Sequence, residues 1–440
     1  MRRRSVLGGL VVMLSVVGQV TALSGQTGPR SLRERITDLF TFGDCGLPLC
    51  LDLGTEHGNH FIPAVTAGEV GIIGFVTQAI GRSTQRVPLA ATSSGETFSL
   101  VGGLPVRTST SAGPIFGERS QTLGRGRFYL GANVSGINLT SIGGVPLENI
   151  TINFGHQDVP PVDSTGNDRL GDPNFENDLI QLRLALDINV TVATLFATWG
   201  VLDFVDIGVA VPFVRTSIIG ASEAQILPFG TGNTPLHRFA GSPTDPVLRA
   251  AAAMNGSSTG LGDVVGRLKI NLGQSQRAGA ALLADVKFST GDEEELLGSG
   301  ESAVRTLAVG SLQFGSFSPH LNFGYVTRSG ELQNDAVLAT VGFDNLMTSW
   351  ATFAFDLVSE WQIGDNKIEL PDDIVYVTPF DRRLSSVDIP GDREDILNAS
   401  AGVKFIVRGG TVLVINGLMP LRDVGLQPDF IWTVGLEYAF

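Results

Sequence analysis

Four groupings in this chain carry residue types that could do chemistry. Gly256-Ser257-Ser258-Thr259-Gly260 matches a bare Gly-x-Ser-x-Gly pattern. A serine nucleophile of that kind needs a strand-turn-helix context, and here the match sits in a Gly/Ser-rich stretch ahead of an alternating strand. His156, His237 and His320 are scattered without a serine partner, so they read as hydrogen-bonding residues and no enzyme is expected. Cys45 and Cys50, followed by His57 and His60, have the ligand types of a tetrahedral zinc site. Asp292, Glu293, Glu294 and Glu295 supply carboxylates that suit calcium, but without EF-hand spacing, and they read as a solvated loop. The fourth grouping consists of Arg183, Asp187, Asp206, Asp263, Arg267, Lys269, Asp285, Lys287 and Glu437, which all fall on the polar parity of alternating segments.

Those segments are the elements that must position the charges. Leu182, Leu184, Leu186, Ile188, Val190 and Val192 share one parity, against Arg183, Ala185, Asp187, Asn189 and Thr191. Side chains of a strand point alternately to its two faces, so one face is apolar and the other polar or small. The pattern recurs at Val205 to Phe213, Val264 to Leu272, Leu282 to Phe288, Phe317 to Tyr325 and Phe430 to Phe440. Strands of about 10 to 13 residues exceed the usual globular length and suit a tilted strand that crosses a bilayer. A bilayer offers no water to unpaired backbone groups, so spanning strands must close into a barrel. Short connections near Trp199 to Asp203, Gly273 to Arg277, Gly315 to Ser316, Leu346 to Ser349 and Arg408 to Gly410 alternate with long ones. The long ones are Thr140 to Asn177, Ile218 to Thr259, Thr290 to Ala303 and Gln362 to Glu394. That sorting is the loop asymmetry of bacterial barrels. The expected fold is therefore all-β: a transmembrane antiparallel β-barrel of about twelve strands, or fourteen if Gly95 to Thr110 adds a hairpin. The nine polar-parity charges would face its lumen, because a charge facing lipid costs about 2–4 kcal/mol at mid-membrane.

Composition agrees. Of 440 residues only 17% are charged, the hydrophobic share is 43% and the net charge is −14. Such a balance excludes disorder and a nucleic-acid partner, whose phosphates need clustered Lys and Arg. Arg2, Arg3 and Arg4 precede the apolar run Val6 to Val17, with small residues at Ala22 and Ser24; residues 1–22 read as a secretory signal. Residues 23–95 do not alternate. Ser31 with Glu34 resembles a capping box before Ile36, Leu39 and Phe40, and Ala64 to Ile80 is a second helix candidate. This segment is expected either as a partly helical plug or as a periplasmic extension, with residues 96–440 forming the barrel. Export favours a local Cys45–Cys50 disulfide, with zinc as the alternative reading. No metal and no cofactor are expected.

The chain ends in Phe430-Ile431-Trp432-Thr433-Val434-Gly435-Leu436-Glu437-Tyr438-Ala439-Phe440. This looks like an outer-membrane assembly signal, with Trp432, Val434, Leu436, Tyr438 and Phe440 on one parity. It implies the barrel assembly machinery, outer-membrane lipid and lipopolysaccharide as partners. Three further phrases carry a narrower resemblance: Gly260-Leu261-Gly262-Asp263-Val264-Val265-Gly266-Arg267-Leu268-Lys269, Leu283 to Asp292, and Phe314 to Tyr325. They resemble the barrel family linked to meta-pathway phenol degradation, which is similar to FadL-type channels. The resemblance covers roughly Arg127 to Phe440 and implies passive uptake of small hydrophobic or aromatic compounds across the bacterial outer membrane. It also implies an N-terminal hatch. A structural or surface-interaction barrel and an outer-membrane lipid hydrolase are the alternatives.

Overall fold

A computed structural model describes residues 30–42, 61, 66, 71–74, 76, 98–101, 104–107, 111–155, 178–227, 237–367, 370–376, 381–407 and 411–439. Cys45, Cys50, His57, His60, His156, the proposed signal and Phe440 lie outside them. Twelve antiparallel strands form a closed ring. In chain order they are β1 (Phe128–Ile142), β2 (Leu179–Leu202), β3 (Val205–Leu227), β4 (Val265–Gln274), β5 (Ala278–Lys287) and β6 (Ala303–Leu312). They continue as β7 (Phe317–Arg328), β8 (Ala336–Thr348), β9 (Ala351–Gln362), β10 (Ile396–Ile406), β11 (Thr411–Pro420) and β12 (Leu426–Ala439). Each pairs with its sequence neighbours, and β12 returns to β1 with Trp432 opposite Gly136. Among the described residues the strands Phe98–Val101 and Leu104–Arg107 pair only with each other, so the ring has twelve members and not fourteen.

Local chemistry explains the tight turns. Gly315 has φ 63° between Phe314 and Phe317, which pair across a two-residue turn; a Gly at the first central position matches the twist of a hairpin. Gly143 and Gly144, both with positive φ (56° and 83°), turn β1 back into the short strand Val145–Pro146.

The outward belt is apolar. Leu195, Ile207, Leu282, Leu321, Phe323, Val341, Ile415 and Leu436 are each 47–56% exposed. Aromatic residues cluster at both rims, with Phe128 stacked on Trp199 (5.9 Å) and Trp350 on Phe405 (5.8 Å) at the short-turn end. Arg422 lies over Trp361 (5.6 Å) at the other. This is the surface of a membrane-spanning barrel.

β2 and β3 run for 24 and 23 residues, about twice what a bilayer needs. Their far halves project beyond the ring at the long-loop end. There the strand Arg249–Leu261 pairs with Phe213–Gln225 of β3, and Ile150–Gly155 pairs with Leu179–Leu184 of β2. Much of the expected Ile218 to Thr259 loop is therefore strand.

Along these long strands the inward parity never changes, but its chemistry does. Inward on β2 lie Thr194 and Thr198 near the short-turn end, then Val192, Val190, Ile188, Leu186, Leu184, Leu182 and Ile180. On β1, Asn133 and Ser135 give way to Ile137 and Leu139; on β12, Thr433 gives way to Ile431. The register puts Ser135 opposite Val192 and Thr433, and Ile137 opposite Val190 and Ile431, so the switch falls within one inward position across three strands. The apolar parity of Leu182 to Val192 was expected to face lipid. Instead Leu184 is 1% and Leu186 7% exposed, inside a core. Beyond the membrane no hydrocarbon surrounds the strand, so these side chains leave water only by turning inward.

They pack against the N-terminal segment. Ser31 caps the helix α1 (Leu32–Ile36): its hydroxyl accepts from the Glu34 amide while the Glu34 carboxylate accepts from the Ser31 amide. Leu32, Ile36, Leu39, Phe40 and Phe42 bury into the same core. The described residues of the second helix candidate, 66, 71–74 and 76, are helical, and Ile72, Ile73 and Val76 join the core.

Candidate functional site

The site is the interior of the ring, which holds two fillings. The outer half holds the apolar core just described. The half within the membrane belt is crossed by residues 111–123, which leave at the short-turn end and lead into β1.

This crossing segment is tied to the wall by polar bonds. The Ala112 amide donates to Thr352 Oγ1 (2.9 Å) and the Phe116 amide to Asp356 Oδ2 (3.1 Å). The Glu118 amide donates to Asn322 Oδ1 (2.7 Å), and Asn322 Nδ2 donates back to the Glu118 carbonyl (3.0 Å). Arg119 clamps Asp344, with Nε 3.0 Å from Oδ1 and a second bond from Nη2. Ser120 meets Ser311 (2.7 Å), and Asn271 Nδ2 donates to the Ser120 carbonyl (2.7 Å). The Leu123 amide donates to both oxygens of Asp206 (3.1 and 3.0 Å). Backbone donors thus face polar wall side chains, the carboxylates of Asp356 and Asp206 among them, an arrangement that removes the cost of burying either alone.

The sequence-derived charges divide among four places. Arg267, Lys269, Asp285 and Asp206 meet around the crossing segment. Arg267 Nη1 is 2.8 Å from Glu118 Oε1, and Lys269 Nζ is 3.5 Å from Oε2. Arg267 also grips Asp285 (Nε–Oδ1 2.5 Å, Nη2–Oδ2 2.8 Å), which is shared with Arg305. Lys287 and Asp263 pair at the outer rim (3.3 Å). There the Lys287 ammonium donates to Ser299 Oγ (2.7 Å) and Asp263 accepts from the Gly291 amide (3.1 Å), which folds the 290–301 connection inward. Glu437 pairs with Lys404 on the far wall (3.3 Å). Arg183 and Asp187 differ from the lumen expectation: they lie on the outward, solvent face of the projecting sheet. Above the belt a charge meets water on the outside, so the polar parity is free to point there.

The other chemical candidates resolve as packing. Gly256 to Gly260 lies inside the strand Arg249–Leu261, not in a loop. A Cβ on Gly256 would sit 2.6 Å from Leu32 Cδ1, so the glycine admits α1, while Ser258 Oγ donates to the Glu295 carbonyl. The acidic stretch docks the N-terminal segment. Arg33 pairs with Glu293, the Arg33 amide donates to the Glu294 carbonyl (2.9 Å), and Ser31 Oγ lies 3.4 Å from Glu294 Oε2. His320 Nε2 is 2.6 Å from Asp356 Oδ1, buried beneath Gly117. Among the described residues no cluster of three or more His, Cys, Asp or Glu could hold a metal. Trp432, Val434, Leu436 and Tyr438 all face outward in the belt.

Sequence reasoning missed the crossing segment. Glu118 and Arg119 are the signal that could have found it: two adjacent charges of opposite sign in an otherwise apolar stretch rich in Ser and Gly.

No family model and no curated protein matches the chain. Solved structures do match. The COG4313 outer membrane channel from Pseudomonas putida F1 is 10% identical, over 73% of this chain and 98% of that one, with a TM-score of 0.39. The TodX monoaromatic hydrocarbon channel deltaS2 mutant is 10% identical over 80% and 98%, with a TM-score of 0.33. A Pseudomonas aeruginosa FadL homologue is 11% identical over 71% and 88%, with a TM-score of 0.28. Likenesses at this level add no weight to the geometry, which stands by itself: an even number of antiparallel strands, a closed ring, an apolar belt between aromatic rims and short turns at one end. The chain is a membrane-spanning β-barrel of the outer-membrane type, filled by its own N-terminal segments.

Proposed function

We propose that this protein is an outer-membrane channel for the passive uptake of small hydrophobic or aromatic compounds. One observation carries the reading: the outer half of the lumen is lined by apolar side chains, from Ile180 to Val192 on β2 and including Val214, Ile218 and Ile226 on β3. A porin for polar solutes keeps an aqueous interior. An apolar lining suits solutes that gain by leaving water. What occupies that lining is α1 with Leu39, Phe40 and Phe42, held by packing and by the half-exposed Arg33–Glu293 pair. A docked segment can be displaced, and residues 23–95 act as the hatch in this reading. Lipopolysaccharide around the outer rim and the assembly machinery acting on β12 are the partners that the reading includes.

A structural barrel with a permanently shut lumen is the second reading. The buried Arg119–Asp344 and Arg267–Asp285 pairs favour it, because they anchor the crossing segment firmly.

Uptake of the fluorescent aromatic phenylnaphthylamine separates the two. The vesicles should carry lipopolysaccharide in the outer leaflet, because bare phospholipid already passes such probes. Entry faster than in protein-free vesicles, and faster still after deletion of residues 23–91, is expected. Entry equal to that of protein-free vesicles overturns the channel reading. Unchanged entry after the deletion removes the hatch.

A further inference from the structure

The crossing segment is held unevenly. Its described hydrogen bonds run to β3, β4 and β6 through β9. Toward β10 and β11 it presents side chains without polar atoms: Ala112 and Ile115 pack with Val412, Val414 and Ala354. A Cβ on Gly402 of β10 would lie 2.5 Å from Ile115 Cδ1, so that wall is also trimmed to accept the segment. Polar ties with directional geometry hold one side; contacts that slide hold the other.

The loosely held side contains a cavity. It lies between Ile115 and the wall residues Asn133, Phe196, Val414, Thr433 and Glu437, with room for about one water molecule. The wall here is hollowed by small residues. A Cβ on Gly131 would lie 2.2 Å from Phe196 Cζ, so the Phe196 ring is laid across a glycine. Thr194, opposite Asn133 in the β1–β2 register, is fully buried, and its hydroxyl has no hydrogen-bond partner among the described residues.

We propose that the permeation path runs along this wall, between Ile115 and the β11–β12–β1–β2 surface, with the Phe196 ring as its constriction. The class of molecule follows from the lining. Ile115, Phe196 and Val414 offer apolar and aromatic contact; Asn133, Thr433 and the Lys404-paired Glu437 offer a few polar atoms. That lining matches the chemistry of small planar apolar molecules with one polar edge, which would pass once the Ile115 side moves away from the wall. The proposal rests on the channel reading and locates its path, while the β3–β9 side stays anchored during transport.

The test compares full-length protein and two variants in the same lipopolysaccharide vesicles, using phenylnaphthylamine entry, with heat-dependent gel migration as the check on folding. Phe196→Ala removes the ring and should raise entry about tenfold, the change given by about 1.4 kcal/mol off the barrier. Thr433→Trp fills the cavity and should lower entry by a similar factor. Should Thr433→Trp fail to fold, Thr433→Leu replaces it. Wild-type entry with no change in either variant overturns the path and leaves the channel reading in place. No entry in any of the three proteins overturns both.

Discussion

The two halves of this lumen share the same strands and opposite chemistry. In the outer half the inward side chains are Leu, Ile and Val, and the outward ones are Arg183, Asp187, Asn189 and Thr191. In the belt half the inward side chains include Thr194, Thr198, Asp206, Lys269 and Asp285, and the outward ones are Leu195, Trp199, Ile207 and Leu282. The backbone does not bulge to exchange the faces; on β2 the parity holds from Leu182 to Gly200. What changes is the outside solvent. Where it is water, the barrel wall buries apolar groups inward like a soluble sheet. Where it is hydrocarbon, the wall is inverted and its interior must satisfy polar groups with one another.

The harshest test puts one charge on adjacent residues of the outer half. Val190→Asp places a carboxylate in the apolar core and should cost at least about 4 kcal/mol. Thr191→Asp places it in water, across from Arg215, and should stay within about 0.5 kcal/mol. Heat-dependent gel migration and urea titration of the detergent-solubilised barrel read the difference. Equal effects would mean that the outer half has no core.

The belt half should respond to a different loss. Asp285 serves both Arg267 and Arg305. Asp285→Ala leaves Arg305 without this carboxylate and Arg267 with Glu118 alone, and should cost about 3–5 kcal/mol, as a broken buried pair does. Replacing Asp285 and Arg267 together by apolar residues of similar volume should recover part of it. A single mutant as stable as the parent would show that water already reaches this network.

Much of this was legible in the residues, and the exceptions have one cause. Val205 to Phe213, Leu282 to Phe288 and Phe430 to Tyr438 alternate within the belt, so apolar parity meant lipid and the fold followed. Leu182 to Val192 alternates just as cleanly, yet its apolar face is the inner one. Period two fixes which residues share a face but not which solvent that face meets. The length of the segment held the clue: read through Trp199, the alternating strand runs past what a bilayer can hold, and its apolar residues change parity after Val192. The crossing segment was illegible for another reason. Residues 111–123 have no period, because they are held largely by backbone amides meeting polar wall side chains, and amides are identical in every sequence.

The outward face gives the intermediate test. Leu195→Arg sets a charge in the belt and should cost about 2–4 kcal/mol. Arg183→Leu, on the same face of β2 beyond the belt, should be nearly neutral in stability, within about 0.5 kcal/mol. Partition into detergent and midpoint of urea unfolding check both. A large loss for Arg183→Leu would place the membrane boundary further out than the residue pattern does.

The smallest expected effect concerns a charge that belongs to neither half of the lumen. Asp335 sits in the connection before β8 at the outer rim. Slight burial pushes its carboxyl upward, but the Tyr325 hydroxyl (2.6 Å) and the Arg328 amide (2.9 Å) donate to it, and the net value lies below the ordinary carboxylate pKa. A carboxyl held low in the folded state contributes stability above its unfolded pKa of about 3.9 and loses it as pH falls through the folded value. Proteolysis at residues 329–335 should therefore rise only below about pH 4. Asp335→Asn should abolish that pH step while leaving the ring intact. A step that persists in the variant would assign the acid response to the lumen carboxylates instead, and water would then have to reach Asp285 and Asp344 as freely as it reaches the rim.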